Sequence, residues 1–292
     1  MLALQSTALV PADRLGNACH HKMQTKLDAI ERVRAHLEGT DVKVTCICVI
    51  GMQSSGKSSV LESMTGISFP RGDGMCTRCV CIVSLETDPT QEPVVICATN
   101  ATYDENKTEV SDMSSVGSHI AKLTEIVAPT GMISEKPIYV KIRRKAGPTL
   151  TLCDIPGITF ESASQDDVEE VTVRLTEKYA SNENALLLCV VPAADDFQNS
   201  KAMQIAKKLD EAGERTIGVV TKVDCLPPGS DLLRKMRQER ENDVKLKHGC
   251  VAVRNRSQAE VEEELSADDA KAKETEIFET HPILKQLDPG RS

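Results

Sequence analysis

Residues 49–61 read Val49-Ile50-Gly51-Met52-Gln53-Ser54-Ser55-Gly56-Lys57-Ser58-Ser59-Val60-Leu61. The spacing G-x-x-x-x-G-K-S is that of a P-loop, a backbone loop that holds phosphates between a strand and a helix. The apolar run from Val42 to Ile50 suits a buried parallel strand before that loop. The sequence therefore predicts a nucleotide-binding turn, and the alternative is a glycine- and serine-rich turn that matches by chance.

The positions of this loop have distinct expected roles. Gly51 and Gly56 allow backbone conformations and close approaches that a side chain would hinder. Lys57 is expected to bridge the outer phosphates, and the Ser58 hydroxyl is expected to hold Mg²⁺. Backbone amides at the start of the helix add to a positive helix end that favours phosphate. The predicted nucleotide contacts in this loop are Gly51, Ser54, Ser55, Gly56, Lys57, Ser58 and Ser59.

Composition narrows the class of protein. The 292 residues are 40% hydrophobic, which permits a substantial core, but only 2% aromatic with no Trp. The net charge is −9, so we expect no nucleic-acid partner, because such proteins present basic or aromatic surfaces. No stretch approaches the roughly 20 apolar residues of a membrane span, and the N-terminus does not resemble a signal peptide. We therefore expect a cytoplasmic protein.

The chain has 11 cysteines, and several lie in apolar runs typical of strands. Cys76, Cys79 and Cys81 form a cluster that suggests a metal site. No Cys or His pair at zinc-site spacing accompanies that cluster. We therefore predict reduced structural thiols, with metal binding as the alternative.

Two further segments extend the phosphate and metal site. An apolar strand at 150–154 ends in the D-x-x-G sequence of Asp154 and Gly157. Asp154 is expected to reach Mg²⁺ through water, and the Gly157 amide is expected to sense the terminal phosphate. The glycine-rich loop 69–78 resembles phosphate-dependent switch loops, in which a hydroxyl reaches Mg²⁺, and Thr77 is the candidate.

A strand at 216–220 leads into Thr221-Lys222-Val223-Asp224. T-K-x-D at a strand end is the guanine signature of regulatory GTPases, and its alternative interpretation is a surface turn. The Asp224 carboxylate would accept hydrogen bonds from guanine N1–H and N2–H, and adenine offers neither. The Lys222 stem would pack over the base. After a last strand at 250–253, the loop 254–258 can close over base and ribose, so GTP and GDP are the predicted ligands.

Alternating strands and helices predict the fold class α/β, a P-loop GTPase domain with a mostly parallel, doubly wound sheet flanked by helices. Residues 99–136 are expected to form a polar insertion with one helix at 116–127. Apolar residues also recur at helical spacing between Ala18 and Leu37. That recurrence predicts an N-terminal amphipathic helix, which is either an ordinary helix at the domain edge or half of an intrachain helical bundle.

These motifs resemble the GTPase domain of the dynamin superfamily, nearest its dynamin, Mx-like and plant dynamin-related members. The likeness extends over about residues 20–287 and rests on residues 51–62, 69–74, 76–78, 154–159, 215–222, 255–258 and 277–282. The sequence pattern and the resemblance together predict an irregular segment at 1–17, an amphipathic helix at 18–40, a GTPase domain at 41–287 and a tail at 288–292.

The resemblance also implies catalytic roles. Gln53 would orient the attacking water, and Thr77 would position that water and ligate Mg²⁺. Ser54, with backbone carbonyls near Gly72 and Gly74, would hold K⁺ or Na⁺. This cation would stabilise the negative charge that develops on the phosphates during hydrolysis, the role that an arginine finger has in other GTPases. The base loop would supply the nucleotide contacts Asn255, Arg256 and Gln258.

In the family, the G domains form homodimers across the nucleotide. Asp196 and Gln258 match positions near that interface, although a solvated acid and a base-loop amide are the simpler interpretations. A peripheral membrane location, association with membranes or microtubules, and membrane remodelling by the parent protein follow from the resemblance alone.

The sequence departs from the family pattern in three places. Phe160 replaces a basic residue, residues 161–167 replace a Gly-Asp-Gln-Pro run, and Pro227 replaces an aspartate. From the resemblance we expect residue 287 to lie near the end of the G domain, ahead of any stalk or lipid-binding domain. Two hypotheses therefore stay open: an active GTPase, which the intact phosphate and switch residues favour, and a GTP-binding interaction module with weak or lost hydrolysis.

Overall fold

The computed structural model describes residues 46–70, 76–129, 132–146, 149–159, 166–197, 199–226, 229–239 and 245–287. The expected N-terminal segment and amphipathic helix, at 1–17 and 18–40, lie outside these residues, as does the tail at 288–292. Within the described ranges, every helix is too short or too polar to cross a lipid bilayer.

Nine strands and seven helices follow one another along the described chain. The strands are β1 (Cys46–Gly51), β2 (Cys79–Thr87), β3 (Val94–Ala98), β4 (Thr108–Val110), β5 (Ser134–Arg144), β6 (Leu150–Asp154), β7 (Leu186–Pro192), β8 (Thr216–Thr221) and β9 (Cys250–Ala252). The helices are α1 (Lys57–Thr65), α2 (Val116–Val127), α3 (Asp166–Ala180), α4 (Lys201–Leu209), α5 (Leu232–Met236), α6 (Gln258–Glu262) and α7 (Ala267–Thr280).

All nine strands form one sheet in the order β4-β3-β5-β2-β6-β1-β7-β8-β9. The half from β6 to β9 is parallel throughout. β2 runs antiparallel to β6, and β3 runs antiparallel to both β4 and β5. Because β2 is reversed, its amino end lies at the same sheet edge as the carboxyl ends of β1, β6, β8 and β9.

The core lies in two layers, one on each face of the sheet. Alternate residues of β1 separate them, since Ile47 and Val49 belong to one layer and Cys48 and Ile50 to the other. The first layer is covered by α1 and α2, and the second by α3, α4 and α5. The sheet is therefore buried on both faces, which explains the continuous apolar runs of its central strands.

The predicted fold class is confirmed: a mixed, mostly parallel sheet is flanked by helices on both faces. The expected helix at 116–127 matches α2, whereas the insertion that contains it also forms β4. Helix α7 was not predicted, because none of its residues is buried and its sequence lacks an apolar stripe.

Candidate functional site

The loop between β1 and α1 is held in a shape that only its own glycines fit. A Cβ at Gly51 would lie 2.5 Å from Ser55 Oγ and 2.7 Å from the Val190 carbonyl oxygen. Gly56 adopts φ 97°, the left-handed region, immediately before the first turn of α1. The residue before α1 therefore has no side chain to cap the first amides of the helix. These amides stay available to an anion.

The ammonium group of Lys57 lies inside this loop. Its Nζ donates to the carbonyl oxygens of Met52 at 2.9 Å and Gly51 at 3.3 Å, and the residue is 6% exposed. Burial lowers the pKa of Lys57 to about 8, although the nearby Asp154 carboxylate partly opposes that shift. A buried cation facing an open helix end is suited to bind phosphate oxygens.

The D-x-x-G segment is joined to the loop by backbone hydrogen bonds. The Gln53 amide donates to the Ile158 carbonyl at 2.9 Å, and the Ile158 amide donates to the Gly51 carbonyl at 3.1 Å. A Cβ at Gly157 would lie 2.8 Å from both Gln53 Cα and Lys57 Nζ. The close packing at Gly157 places the segment that is expected to sense the terminal phosphate directly against the loop.

Asp154 and Thr77 meet at the same edge. Thr77 Oγ1 donates to Asp154 Oδ2 at 3.4 Å, and Asp154 is 1% exposed. Burial raises the pKa of Asp154 to about 6, opposed by Lys57 and by the Thr77 hydrogen bond. Its Oδ1 atom has no hydrogen-bond partner among the described residues. A buried carboxylate oxygen beside a hydroxyl fits Mg²⁺, which prefers hard oxygen ligands.

The T-K-x-D segment is attached to the phosphate loop by a side chain. Thr221 Oγ1 donates to the Ser55 carbonyl oxygen at 2.6 Å, and both residues are buried. Lys222 follows in the left-handed region, with φ 55°, and is exposed. Asp224 then lies in a short 3-10 turn with its side chain 28% exposed. The turn fixes the position of the predicted base-reading carboxylate relative to the predicted phosphate site.

The loop after β9 makes its own internal contacts. Arg256 Nη1 donates to the Leu265 carbonyl at 2.9 Å, and Gln258 Nε2 donates to Glu262 at 2.9 Å. The Nδ2 atom of Asn255 is buried without a hydrogen-bond partner among the described residues. The predicted nucleotide contacts of these three residues stay predictions, and the observed bonds of Arg256 and Gln258 stabilise the loop itself.

Arg254, Glu260, Lys273 and Glu274 form a charged network beside Asp224 that the sequence reasoning missed. Glu260 accepts from Arg254 Nη2 at 2.5 Å and from Lys273 Nζ at 2.9 Å. The Arg254 amide donates to Glu274 at 2.7 Å. A signal was available, since Ser257 and Glu260 have the spacing of a capping box, and that box is present at the start of α6.

Other predicted site residues have plainer surroundings. Ser54 is exposed with φ 58°, Gln53, Ser58 and Ser59 are half-buried in and after the loop, and Asp196 lies after β7. Gly72, Gly74, Phe160 and Pro227 lie outside the described residues. Among the described cysteines all are free thiols, and the closest group is Cys46, Cys48 and Cys153 rather than the Cys76 cluster.

Sequence comparison identifies relatives over most of the chain. The family model described as Dynamin family matches residues 47–223, and the one described as Dynamin central region matches residues 236–291. Dynamin-related protein 4A of Arabidopsis thaliana is 33% identical over 91% of this chain and 85% of its own length.

Two animal relatives are longer. Interferon-induced GTP-binding protein Mx2 of Homo sapiens is 33% identical over 97% of this chain, and Mx1 of Mus musculus is 35% identical over 94%. The matched regions make up 39% and 44% of those two proteins. The chain thus spans less than half the length of these relatives.

Proposed function

This chain belongs to the dynamin family, and we propose that it is a G domain that binds and hydrolyses GTP with Mg²⁺ and a monovalent cation. One observation carries the proposal: the 2.6 Å hydrogen bond from Thr221 to Ser55 joins the guanine signature to the phosphate loop. The human relative, which is named as a GTP-binding protein, supports the choice of nucleotide.

In the proposed complex, Lys57 and the first amides of α1 bind the outer phosphates. Ser58, Thr77 and, through water, Asp154 would hold Mg²⁺, which would neutralise charge on the phosphates. Ser54 would contribute to the monovalent-cation site, together with carbonyls outside the described residues. Gln53 would orient the attacking water, and the Gln53 backbone is already fixed by Ile158. Asp224 would select guanine.

The pH dependence of Mg²⁺–GTP affinity follows from two buried groups. Below a pH of about 6, the protonated Asp154 carboxyl must release a proton before it can face the metal, so Mg²⁺–GTP affinity falls as pH decreases. Above a pH of about 8, the neutral Lys57 amine must take up a proton before it can bind phosphate, so Mg²⁺–GTP affinity falls as pH increases. We therefore expect affinity measured by calorimetry to be greatest between these two values.

The nucleotide's own phosphate, with a pKa of about 6, contributes to the acid side of this profile. Asp154→Asn keeps the contribution of the nucleotide phosphate to the acid-side pH dependence and removes the contribution of the Asp154 carboxyl. Its affinity should be lower overall but should depend less steeply on pH below about 6. Identical acid-side slopes for the two proteins would contradict the role of Asp154.

Gln53→Ala tests the hydrolysis step. GTP affinity should change little, because the loop amides and the bond to Ile158 remain. Turnover should fall about tenfold to a hundredfold, each tenfold being about 1.4 kcal/mol of barrier. Replacing K⁺ or Na⁺ with a bulky organic cation should slow the unsubstituted protein in the same way. Gln204→Ala, an exposed position on α4, is the matched control and should leave turnover unchanged.

The second candidate function is a GTP-binding interaction module with weak or lost hydrolysis. It is favoured by the segment after the D-x-x-G sequence, where Phe160 and residues 161–167 replace the family pattern. Phosphate release measured against protein concentration separates the two, because a G-domain homodimer would raise the specific rate. Negligible turnover, unaffected by concentration, cation or Gln53→Ala, would favour the interaction module. A cytoplasmic location and membrane association stay predictions.

A further inference from the structure

Arg254 is a buried arginine at the entrance of the base loop. Its side chain is 7% exposed, and it follows the last residues of the β9 segment. Its Nε atom lies 3.7 Å from Asp224 Oδ2, the carboxylate expected to read guanine. Nε and Nη1 have no hydrogen-bond partner among the described residues. Buried guanidinium donors without acceptors are costly, so their persistence here points to a ligand or to a charged neighbour.

The other side of the guanidinium is fixed. Nη2 binds Glu260 Oε1, and Glu260 is itself held by Lys273 and by the Ser257 amide at 3.0 Å. The hydrogen bond from Arg254, with that from the Ser257 amide, lowers the pKa of Glu260 to about 2, so this carboxylate is ionised at neutral pH. The planar fork of Arg254 therefore lies between two carboxylates, one on α6 and one on the base-reading turn.

We propose that Arg254 is a positioning residue for guanine recognition, which orients the Asp224 carboxylate so that both oxygens face the base. The inference rests on the proposed function. Guanine uses both oxygens, through N1–H and the N2 amino group, whereas hypoxanthine has only N1–H. Orientation of the carboxylate therefore matters more for GTP than for inosine triphosphate (ITP), and Arg254 determines the ratio of the two affinities.

The test is calorimetric titration of the full chain with Mg²⁺–GTP and Mg²⁺–ITP. Arg254→Met should weaken GTP binding about tenfold to a hundredfold, the range for losing the charge-assisted hydrogen bond from the guanine N2 amino group to Asp224, and should weaken ITP binding less. The GTP-to-ITP affinity ratio should fall about tenfold. In an Asp224→Asn background, adding Arg254→Met should leave the ratio unchanged, because the group that Arg254 orients is gone.

A merely structural arginine would behave differently. Arg215, at the amino end of β8, binds the backbone carbonyls of Ala180, Ala185 and Leu209, so Arg215→Met is the matched control. It should lower the melting temperature without changing the GTP-to-ITP ratio. Equal losses of GTP and ITP affinity in Arg254→Met would overturn the proposal.

Should Arg254→Met fail to fold, Arg254→Lys carries the same test. A lysine keeps the charge but lacks the fork that spans two carboxylates, so the ratio should fall part of the way. An unchanged ratio in a folded Arg254→Lys protein would overturn the proposal. Failure of the proposed function is distinguishable, because the unsubstituted protein would then show no preference for GTP over ATP.

Discussion

Asp224→Asn is expected to move the nucleotide preference from GTP to xanthosine triphosphate. The carboxylate accepts from guanine N1–H and N2–H, whereas an amide presents a donor that suits the second carbonyl of xanthine. Two charge-assisted hydrogen bonds are involved, each worth about 1.5–3 kcal/mol, so GTP affinity should fall by about a hundredfold or more. Calorimetric titration with both triphosphates measures the change.

The control for this exchange is Asp268→Asn, an exposed carboxylate in the first turn of α7. It alters the net charge equally and should keep the preference for GTP. If Asp224→Asn folded and bound GTP as tightly as the unsubstituted protein does, the T-K-x-D segment would not be reading the base.

Lys57→Met should abolish most nucleotide binding while leaving the fold intact. The methionine keeps an unbranched apolar stem in the buried position and removes the charge. Because burial already lowers the pKa of Lys57 to about 8, the nucleotide-free protein gains nothing from that charge at neutral pH. We expect an unchanged or higher melting temperature, and a loss of GTP affinity of at least about tenfold to a hundredfold.

Thermal unfolding with and without GTP checks both parts of this prediction. In the unsubstituted protein, added Mg²⁺–GTP should raise the melting temperature, and in Lys57→Met it should not. Lys247→Met, an exposed lysine near the amino end of β9 at the opposite sheet edge, should respond as the unsubstituted protein does. Normal stabilisation of Lys57→Met by GTP would refute the P-loop assignment.

Much of the fold was predictable because its central strands are buried on both faces. Runs such as 186–191 are continuously apolar and could be placed from sequence. β4 has three residues, one of them buried, so it carries too little pattern to be recognised within a polar insertion. The reversal of β2 was also hidden, because strand direction is set by pairing with β6 and not by the residues of β2 alone.

The candidate site also has a part that the sequence predicts and a part that it does not. Its motif residues were predictable, since G-x-x-x-x-G-K-S, D-x-x-G and T-K-x-D have fixed spacing. The Thr77–Asp154 hydrogen bond needed the reversed β2, which brings the start of that strand to the carboxyl end of β6. The Arg254–Asp224 contact could not be predicted, because the two residues lie 30 positions apart along the chain and no sequence pattern links them. The pairing of β8 with β9 brings them together.

The most direct test of the account is competition between GTP and ATP for the site. A fluorescent GDP analogue bound to the full chain is displaced with each unlabelled triphosphate in Mg²⁺. We predict that GTP displaces it and that ATP is weaker by about a hundredfold or more, because adenine offers no N–H donors to the two carboxylate oxygens of Asp224. Equal displacement by the two triphosphates, or by neither, would contradict the assignment of a guanine nucleotide site.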